Sequence, residues 1–477
     1  MENIISFKKA AIYNAISKYG TMLVQLGLTM ILSRLIVPEA YGIIAIITVL
    51  LGFFQLFADM GLGVNIIQHP ELPVQEIEKL FSFSCILGLV LSLLALFSSY
   101  PLAFFYSDST YKSVCPLIAI VCFFNSINVI PNAILTRDKR FDLIAKRSIM
   151  CALISGLVAV ILALLNLGVY ALVIQSIFSS IFFFIWNYIH NPLHLKKFEL
   201  SQVMSILGSY SLYQIMFNFL NYFTRNLDNL FIGRKFGSAN LAYYNKSYYL
   251  YLYPNNIFAS VITGVLHPYI REYKNNYVPL LEKYYRIEKY LSLIGAFTMA
   301  SFFVCSNEII LIMFGDSWKP ACLCLKCLSI CMWSQMMSAV SGSIFLGIER
   351  TDQLFKCGII NFLMIVFSII VGVIFNSIYI LSLFIGISYN LIFVITNFIL
   401  LNRTMKSSIW SLFSKISYDG LFSFFVCGLS LLVCLEAPNM WVSLIIKMIF
   451  VIILYLIYLI FSGQFKYLIK IYSIISN

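Results

Sequence analysis

Charge is what this chain has least of. Only 11% of its 477 residues are Asp, Glu, Lys or Arg, while 61% are hydrophobic. A soluble chain of this length needs far more polar surface, so the composition excludes a soluble globular protein and implies a multi-span membrane protein. No polar stretch is long enough to fold alone, which excludes an appended soluble domain. Acids are scarcer than bases, 20 against 32, for a formal net charge of +12. In a polar chain that excess suggests nucleic acid. Here the basic residues stand mainly in short connections between apolar runs, a pattern that records membrane topology and points to no nucleic-acid partner. There is no nucleophile–base constellation, metal-ligand cluster or nucleotide-binding glycine loop, so neither an enzyme nor a cofactor is expected. The 12 cysteines are scattered through apolar segments and behave as small hydrophobes, not as a disulfide framework. The tightest set, Cys322, Cys324, Cys327 and Cys331, lies on one apolar helix, which offers no tetrahedral metal cage. Met1 to Lys9 is short and basic and leads into a full-length apolar span without a small-residue cleavage site; it reads as a retained first helix.

What the chain has in abundance is apolar runs. With about 20 residues needed per crossing, roughly fourteen spans fit. Their approximate limits are 11–36, 41–67, 81–106, 112–135, 147–165, 168–189, 205–236, 243–269, 286–306, 320–346, 356–375, 378–401, 418–436 and 440–461. Lys and Arg placement then sets the orientation. One side would hold Lys8, Lys9 and Lys18, then Lys79, the group Arg137, Lys139, Arg140, Lys146 and Arg147, then Lys196 and Lys197. The same side receives Arg271, Lys274, Lys283, Arg286 and Lys289, then Arg350 and Lys356, then Arg403, Lys406 and Lys415, and last Lys466 and Lys470. This bias predicts both termini in the cytoplasm and an even number of spans.

The chain also repeats itself. Leu32-Ser33-Arg34 with Tyr41-Gly42 is echoed by Ile232-Gly233-Arg234 with Tyr243-Tyr244, and Arg140-x-Asp142-x-x-x-Lys146 by Arg350-x-Asp352-x-x-x-Lys356. The offsets are about 200 and 210 residues, close to six spans. The expected architecture is therefore an all-α integral membrane protein. It has two six-helix lobes, residues 1–200 and 201–402, related by a pseudo-two-fold axis along the membrane normal, and two further helices in 403–477. Transporters built this way bind substrate between the halves and rock around it.

Leu32-Ser33-Arg34-Leu35-Ile36-Val37-Pro38-Glu39-Ala40-Tyr41-Gly42, followed by Gly52 to Gly63 (GFFQLFADMGLG) and Ile67-Gln68, resembles the first two spans of Wzx-type polysaccharide flippases. Arg225-Asn226-Leu227-Asp228-Asn229-Leu230-Phe231-Ile232-Gly233, with Gly237 and Tyr244 after it, resembles that family's seventh span and following loop, and His267-Pro268 closes the eighth span in a similar way. The likeness is densest over residues 1–270, and its nearest subgroup serves exopolysaccharide, colanic-acid-like and teichuronic-acid-like export. It implies a member of the multidrug/oligosaccharidyl-lipid/polysaccharide exporter superfamily in the bacterial cytoplasmic membrane. Such a protein passes an undecaprenyl-pyrophosphate-linked oligosaccharide from the cytoplasmic to the periplasmic leaflet by alternating access, among membrane lipids and alongside the polysaccharide polymerase machinery. A drug/cation antiporter and a lipid II flippase of the same superfamily are the alternatives. The first predicts an acidic cavity, whereas the intramembrane charges here lean basic.

That substrate needs fixed cations for phosphate and polar or aromatic walls for sugar. Arg suits phosphate because its fork matches oxygen pairs and it keeps its charge at low dielectric. Arg225 is the leading candidate; Asp228 stands three residues on, where the two either form a structural ion pair or serve the ligand together. Arg34 and Arg234 occupy matching places in the two halves, either binding substrate or snorkelling to the interface. Lys246 and Lys326 face the same choice further along their spans. Tyr244, Tyr248 and Tyr251 share a helical face suited to stacking on sugars, or to the interface. Asp59, beside Gly61 and Gly63, either pairs with a cation of the other half or carries a coupling proton, or else caps or kinks a helix. Arg140, Asp142, Arg350 and Asp352 anchor loops at the inner surface or act as a gate.

Overall fold

The computed structural model describes residues 7–272, 277–433 and 437–465. Among these, every regular element is helical. An apolar chain can satisfy its backbone N–H and C=O groups inside a bilayer only by helix or closed barrel, and this sequence takes the first solution. Among the described residues eleven helices are long and apolar enough to cross a membrane, and a pair bent by 56° passes the same test when taken as one span. The two remaining expected spans, 205–236 and 243–269, both fall inside one long helical stretch (α10). The side chains of 201–218 and 258–272, with His267 and Pro268 among them, lie outside the described residues.

The chain divides into two compact units, residues 1–242 and 243–477. The first holds α1 (Phe7–Leu35), α2 (Pro38–Asp59), α3 (Leu62–Gln68), α4 (Val74–Phe97), α5 (Ser99–Tyr106), α6 (Thr110–Ile127), α7 (Val129–Arg137), α8 (Phe141–Leu164), α9 (Val169–His190) and the start of α10 (Leu200–Glu272). Helix α1 packs on α8, α4 on α6, α6 and α8 on α9, and α3 on α7. Two apolar cores tie these together. Phe54, Ala58, Leu91, Ala95, Ala119 and Cys122 join α2, α4 and α6. Leu62, Ile77, Phe81, Ile130 and Leu193 join α3, α4, α7 and the stretch after α9. That stretch is pinned to α4 by charge: the Lys196 ammonium lies 3.2 Å from the Glu78 carboxylate, and the Lys196 backbone N–H donates to the Ser82 hydroxyl at 2.7 Å.

Several residues that carry the family resemblance have a local physical reason. Helix α2 ends in a left-handed pair, Met60 at φ 37° and Gly61 at φ 82°. Asp59 then accepts the Gly63 backbone N–H at 3.3 Å, capping α3. Gly237, at φ +85°, breaks the regular winding of α10. Just beyond it the backbone of Ser238 lies against Gly42 in the first turn of α2, so close that a Cβ on Gly42 would collide with the Ser238 carbonyl. Aromatic rings continue the contact between α2 and α10, with Phe53 6.0 Å from Phe223.

The second unit holds the end of α10, α11 (Tyr277–Val304), α12 (Ser306–Phe314), a 3₁₀ turn (Asp316–Trp318), α13 (Lys319–Ser329), α14 (Met332–Gly347), α15 (Thr351–Ile374), α16 (Ile378–Phe398), a π turn (Ile399–Thr404), α17 (Ile409–Leu432) and α18 (Met440–Phe461). The expected straight span 320–346 is the bent pair α13–α14. Helix α11 runs through the middle, against α13, α14, α17 and α18. Two buried acid–base pairs lie in this unit. Lys447 on α18 reaches Glu308 on α12 at 2.6 Å. Lys289 on α11 reaches Asp419 on α17 at 2.8 Å. All four side chains are nearly or wholly buried.

The internal repeat appears element by element. Lys139 and Glu349 both turn left-handed, at φ 55° and 58°. Arg140 and Arg350 follow as N-caps of α8 and α15, each 24 residues long. Both helices close on a left-handed asparagine, Asn166 and Asn376, a residue that tolerates this conformation. The Arg140–Asp142 and Arg350–Asp352 contacts recur too, at 3.7 Å and 3.1 Å.

Gly42→Ala should cost about 1–3 kcal/mol by pushing α2 off α10. Thermal unfolding of the purified protein in detergent measures it; an unchanged melting temperature would show that α2 can shift freely.

Candidate functional site

The first unit encloses a polar cavity of about 440 Å³. Gln55 and Asp59 from α2 line one side; Asn125, Asn128, Asn132 and Thr136 from α6, α7 and the break between them line the other. The spacing explains the amides. Asn125, Asn128 and Asn132 stand at i, i+3 and i+7, so one helical face presents all three. Behind them sits a buried arginine. Arg147 of α8 donates from Nη1 to Asn132 Oδ1 at 2.9 Å and to Asn187 Oδ1 at 2.6 Å. Asn187 Nδ2 passes the chain on to Asn128 Oδ1 at 2.8 Å. The guanidinium also lies 4.7 Å from the Phe183 ring centroid, and its Nε is buried without a partner. Arg147 is met by amide oxygens and an aromatic face, with no ion pair to it among the described residues. Its charge is thus solvated by amides behind the cavity wall, two of which, Asn128 and Asn132, line the cavity.

Sequence reasoning placed Arg147 with the loop cations, and this is corrected: α8 begins six residues earlier than the expected span, which carries Arg147 inside the unit. The amide periodicity was the signal available for it.

The other predicted residues divide by unit. Arg225 is exposed on α10, while Asp228 is buried and accepts the Asn229 backbone N–H at 2.8 Å. No ion pair joins the two among the described residues. Arg34, in the last turn of α1, is exposed. Arg234 is exposed and lies 5.4 Å from the Phe105 ring. Asp59 both caps α3 and faces the cavity. In the second unit, Tyr244 and Tyr251 are buried on either side of Tyr248, with ring centroids 5.7 and 5.0 Å from it. The Tyr248 hydroxyl sits 3.1 Å from that of Tyr389. Lys246 lies 5.2 Å from the Phe314 ring and 5.5 Å from Trp318; Lys326 lies 4.9 Å from Phe303. Arg140, Asp142, Arg350 and Asp352 mark the starts of α8 and α15, in separate units.

Residues 31–323 match the family model described as polysaccharide biosynthesis protein. The chain belongs to that family. Among polysaccharide biosynthesis proteins of known sequence it is similar to WzxC of Escherichia coli K12, a lipopolysaccharide biosynthesis protein, at 22% identity over 78% of this chain and 75% of the relative. It is 24% identical to TuaB of Bacillus subtilis, a teichuronic acid biosynthesis protein, over 64% of this chain and 63% of TuaB. An uncharacterized membrane protein of the Klebsiella pneumoniae cps region is 21% identical over 72% of each chain. Among solved structures, the lipid II flippase MurJ in an inward closed conformation superposes with a TM-score of 0.74 at 15% identity, covering 95% of this chain and 99% of MurJ. An inward-facing multidrug transporter of the MATE family gives 0.57 at 15% identity over 87% and 98%. These likenesses establish the polysaccharide biosynthesis family and the fold of the MOP superfamily.

Asn187→Leu should cost about 2–3 kcal/mol, because it strips a partner from a buried cation and from Asn128 at once. The double change Arg147→Met with Asn187→Leu should recover part of that loss. Melting curves of Asn187→Leu, Arg147→Met and the double variant test the network; additive losses would mean the two side chains do not interact.

Proposed function

We propose that this chain moves an undecaprenyl-pyrophosphate-linked oligosaccharide across the bacterial cytoplasmic membrane for assembly of a surface polysaccharide, and that it does so as a transporter by alternating access. The observation that carries this reading is membership of the polysaccharide biosynthesis family across residues 31–323, in a chain whose fold is that of lipid-carrier and drug exporters. Lys and Arg placement supports an orientation with both termini in the cytoplasm. The expected lobes at 1–200 and 201–402, with the two added helices in 403–477, describe the same arrangement in repeat terms.

The chemistry of the cargo assigns the roles. Arg225 holds the pyrophosphate, since it is an exposed cation placed within an apolar run of its helix, where a charge needs a wet face or a partner. Arg34 and Arg234 extend that basic path at matching places in the repeat, with Asp228 setting the local field. Lys246 and Lys326, and the tyrosine face of Tyr244, Tyr248 and Tyr251, serve sugars and phosphate in the second unit. Asp59, at the mouth of an amide-lined cavity, is the coupling residue. The Arg140–Asp142 and Arg350–Asp352 pairs gate the cytoplasmic side. Lipid-linked oligosaccharide, bulk membrane lipids and a polysaccharide polymerase are the partners this reading requires.

Cells depleted of the protein should accumulate lipid-linked oligosaccharide, and wild type should clear it. Arg225→Ala should fail to clear it while reaching the membrane at normal levels; Arg225→Lys should clear it poorly, because a point charge replaces a two-oxygen fork. Clearance by a well-expressed Arg225→Ala protein would remove Arg225 from the path.

A further inference from the structure

The second unit contains a cavity that this transport path does not use. It measures about 630 Å³ and lies where the first turns of α11 and α17 meet the chain just past α18. Its charged lining is Arg286, Lys289 and Lys415 against a single acid, Glu282. Lys289 is already committed. Its ammonium donates to both Asp419 oxygens at 2.8 Å and to the Lys415 carbonyl at 2.7 Å, and Asp419 accepts the Ser292 hydroxyl at 2.6 Å. This buried, matched group forms a rigid floor.

Arg286 and Lys415 are different. Both are exposed, and neither makes an ion pair among the described residues, Glu282 included. Lys415 is held over the Tyr285 ring at 4.4 Å, which fixes its ammonium at the cavity without neutralising it. The opposite wall offers an acceptor. Gln464 is only 8% exposed; its Nε2 donates to the Tyr458 hydroxyl at 3.0 Å, while its Oε1 is buried with no partner. Two positioned cations beside an unfilled acceptor suit an anion that also carries a hydrogen-bond donor.

The surroundings narrow the source. Tyr418 at the cavity is 66% exposed, and Leu421, Ile460 and Phe461 on α17 and α18 are 65, 67 and 89% exposed. An apolar surface of this kind beside a basic pocket is the setting in which helical membrane proteins hold acidic headgroups. We propose that this cavity binds the headgroup of an anionic membrane phospholipid, with Arg286 and Lys415 on the phosphodiester, a headgroup hydroxyl donating to Gln464 Oε1, and the acyl chains lying along α17 and α18. The lipid is a bound partner of the second unit, distinct from the transported molecule.

Native mass spectrometry of the full chain, released from micelles containing phosphatidylglycerol, phosphatidylmethanol or undecaprenyl phosphate, tests this. Wild type should retain phosphatidylglycerol over phosphatidylmethanol, which has the phosphodiester but no headgroup hydroxyl. The double variant Arg286→Gln/Lys415→Gln should retain phosphatidylglycerol on the order of tenfold less, with an unchanged melting temperature because both side chains are exposed. Gln464→Leu should lose the preference between the two phospholipids. Equal retention by wild type and the double variant would overturn the proposal. So would selective retention of undecaprenyl phosphate, which assigns the cavity to the carrier lipid, or displacement of phosphatidylglycerol by millimolar inorganic phosphate, which makes it a soluble-anion site.

Discussion

The structure depends on one constraint: a charge that enters a hydrocarbon-spanning bundle must be matched, or must reach water. The chain meets it in two ways. Lys447 with Glu308, and Lys289 with Asp419, are buried pairs at hydrogen-bond distance. They tie α18 to α12 and α17 to α11 within the second unit by polar contacts as well as by apolar ones. Removing one member of such a pair leaves the other uncompensated, at roughly 3–5 kcal/mol. Arg147 meets the constraint by the second route, with amide oxygens and an aromatic face supplying the solvation that an acid supplies elsewhere. Against this background the exposed cations Arg225 and Arg286 stand out, because Lys289 and Lys447 are each met by an acid at hydrogen-bond distance.

Much of the fold was legible because membrane insertion leaves few choices. Long apolar runs with loop cations between them become helices, and eleven expected spans have counterparts that pass as crossings on their own, with a twelfth formed by a bent pair. The repeat was legible at Arg140 and Arg350 because both residues do the same backbone work, starting a 24-residue helix after a left-handed turn. What hydropathy could not reveal is where a helix breaks while remaining apolar. The bend at Ile330–Cys331 and the interruption at Gly237 leave no trace in an averaged index.

The candidate site was only partly legible, for a related reason. Isolated charges in apolar runs are conspicuous, which is why Asp59, which lines the cavity, stands out in the sequence. Amides are less so: Asn125, Asn128, Asn132 and Asn187 assemble from three helices and the breaks between them, and their meeting point is set by tertiary packing. Arg147 was assigned to a loop because it follows four loop cations within ten residues; one extra turn and a half of α8 carries it inward. Asp59 caps α3 and lines the cavity at once, since a carboxylate has two oxygens and several lone pairs, enough for both contacts.

The central claim is movement of a lipid-linked oligosaccharide between leaflets, and reconstitution addresses it most directly. Proteoliposomes would carry the purified chain and undecaprenyl-pyrophosphate-linked oligosaccharide in both leaflets, with a membrane-impermeant glycosidase added outside. The account predicts that the enzyme digests nearly all of the oligosaccharide, because the protein brings inner-leaflet molecules into reach. Digestion that stops at the outer-leaflet share, as in protein-free vesicles, would contradict it.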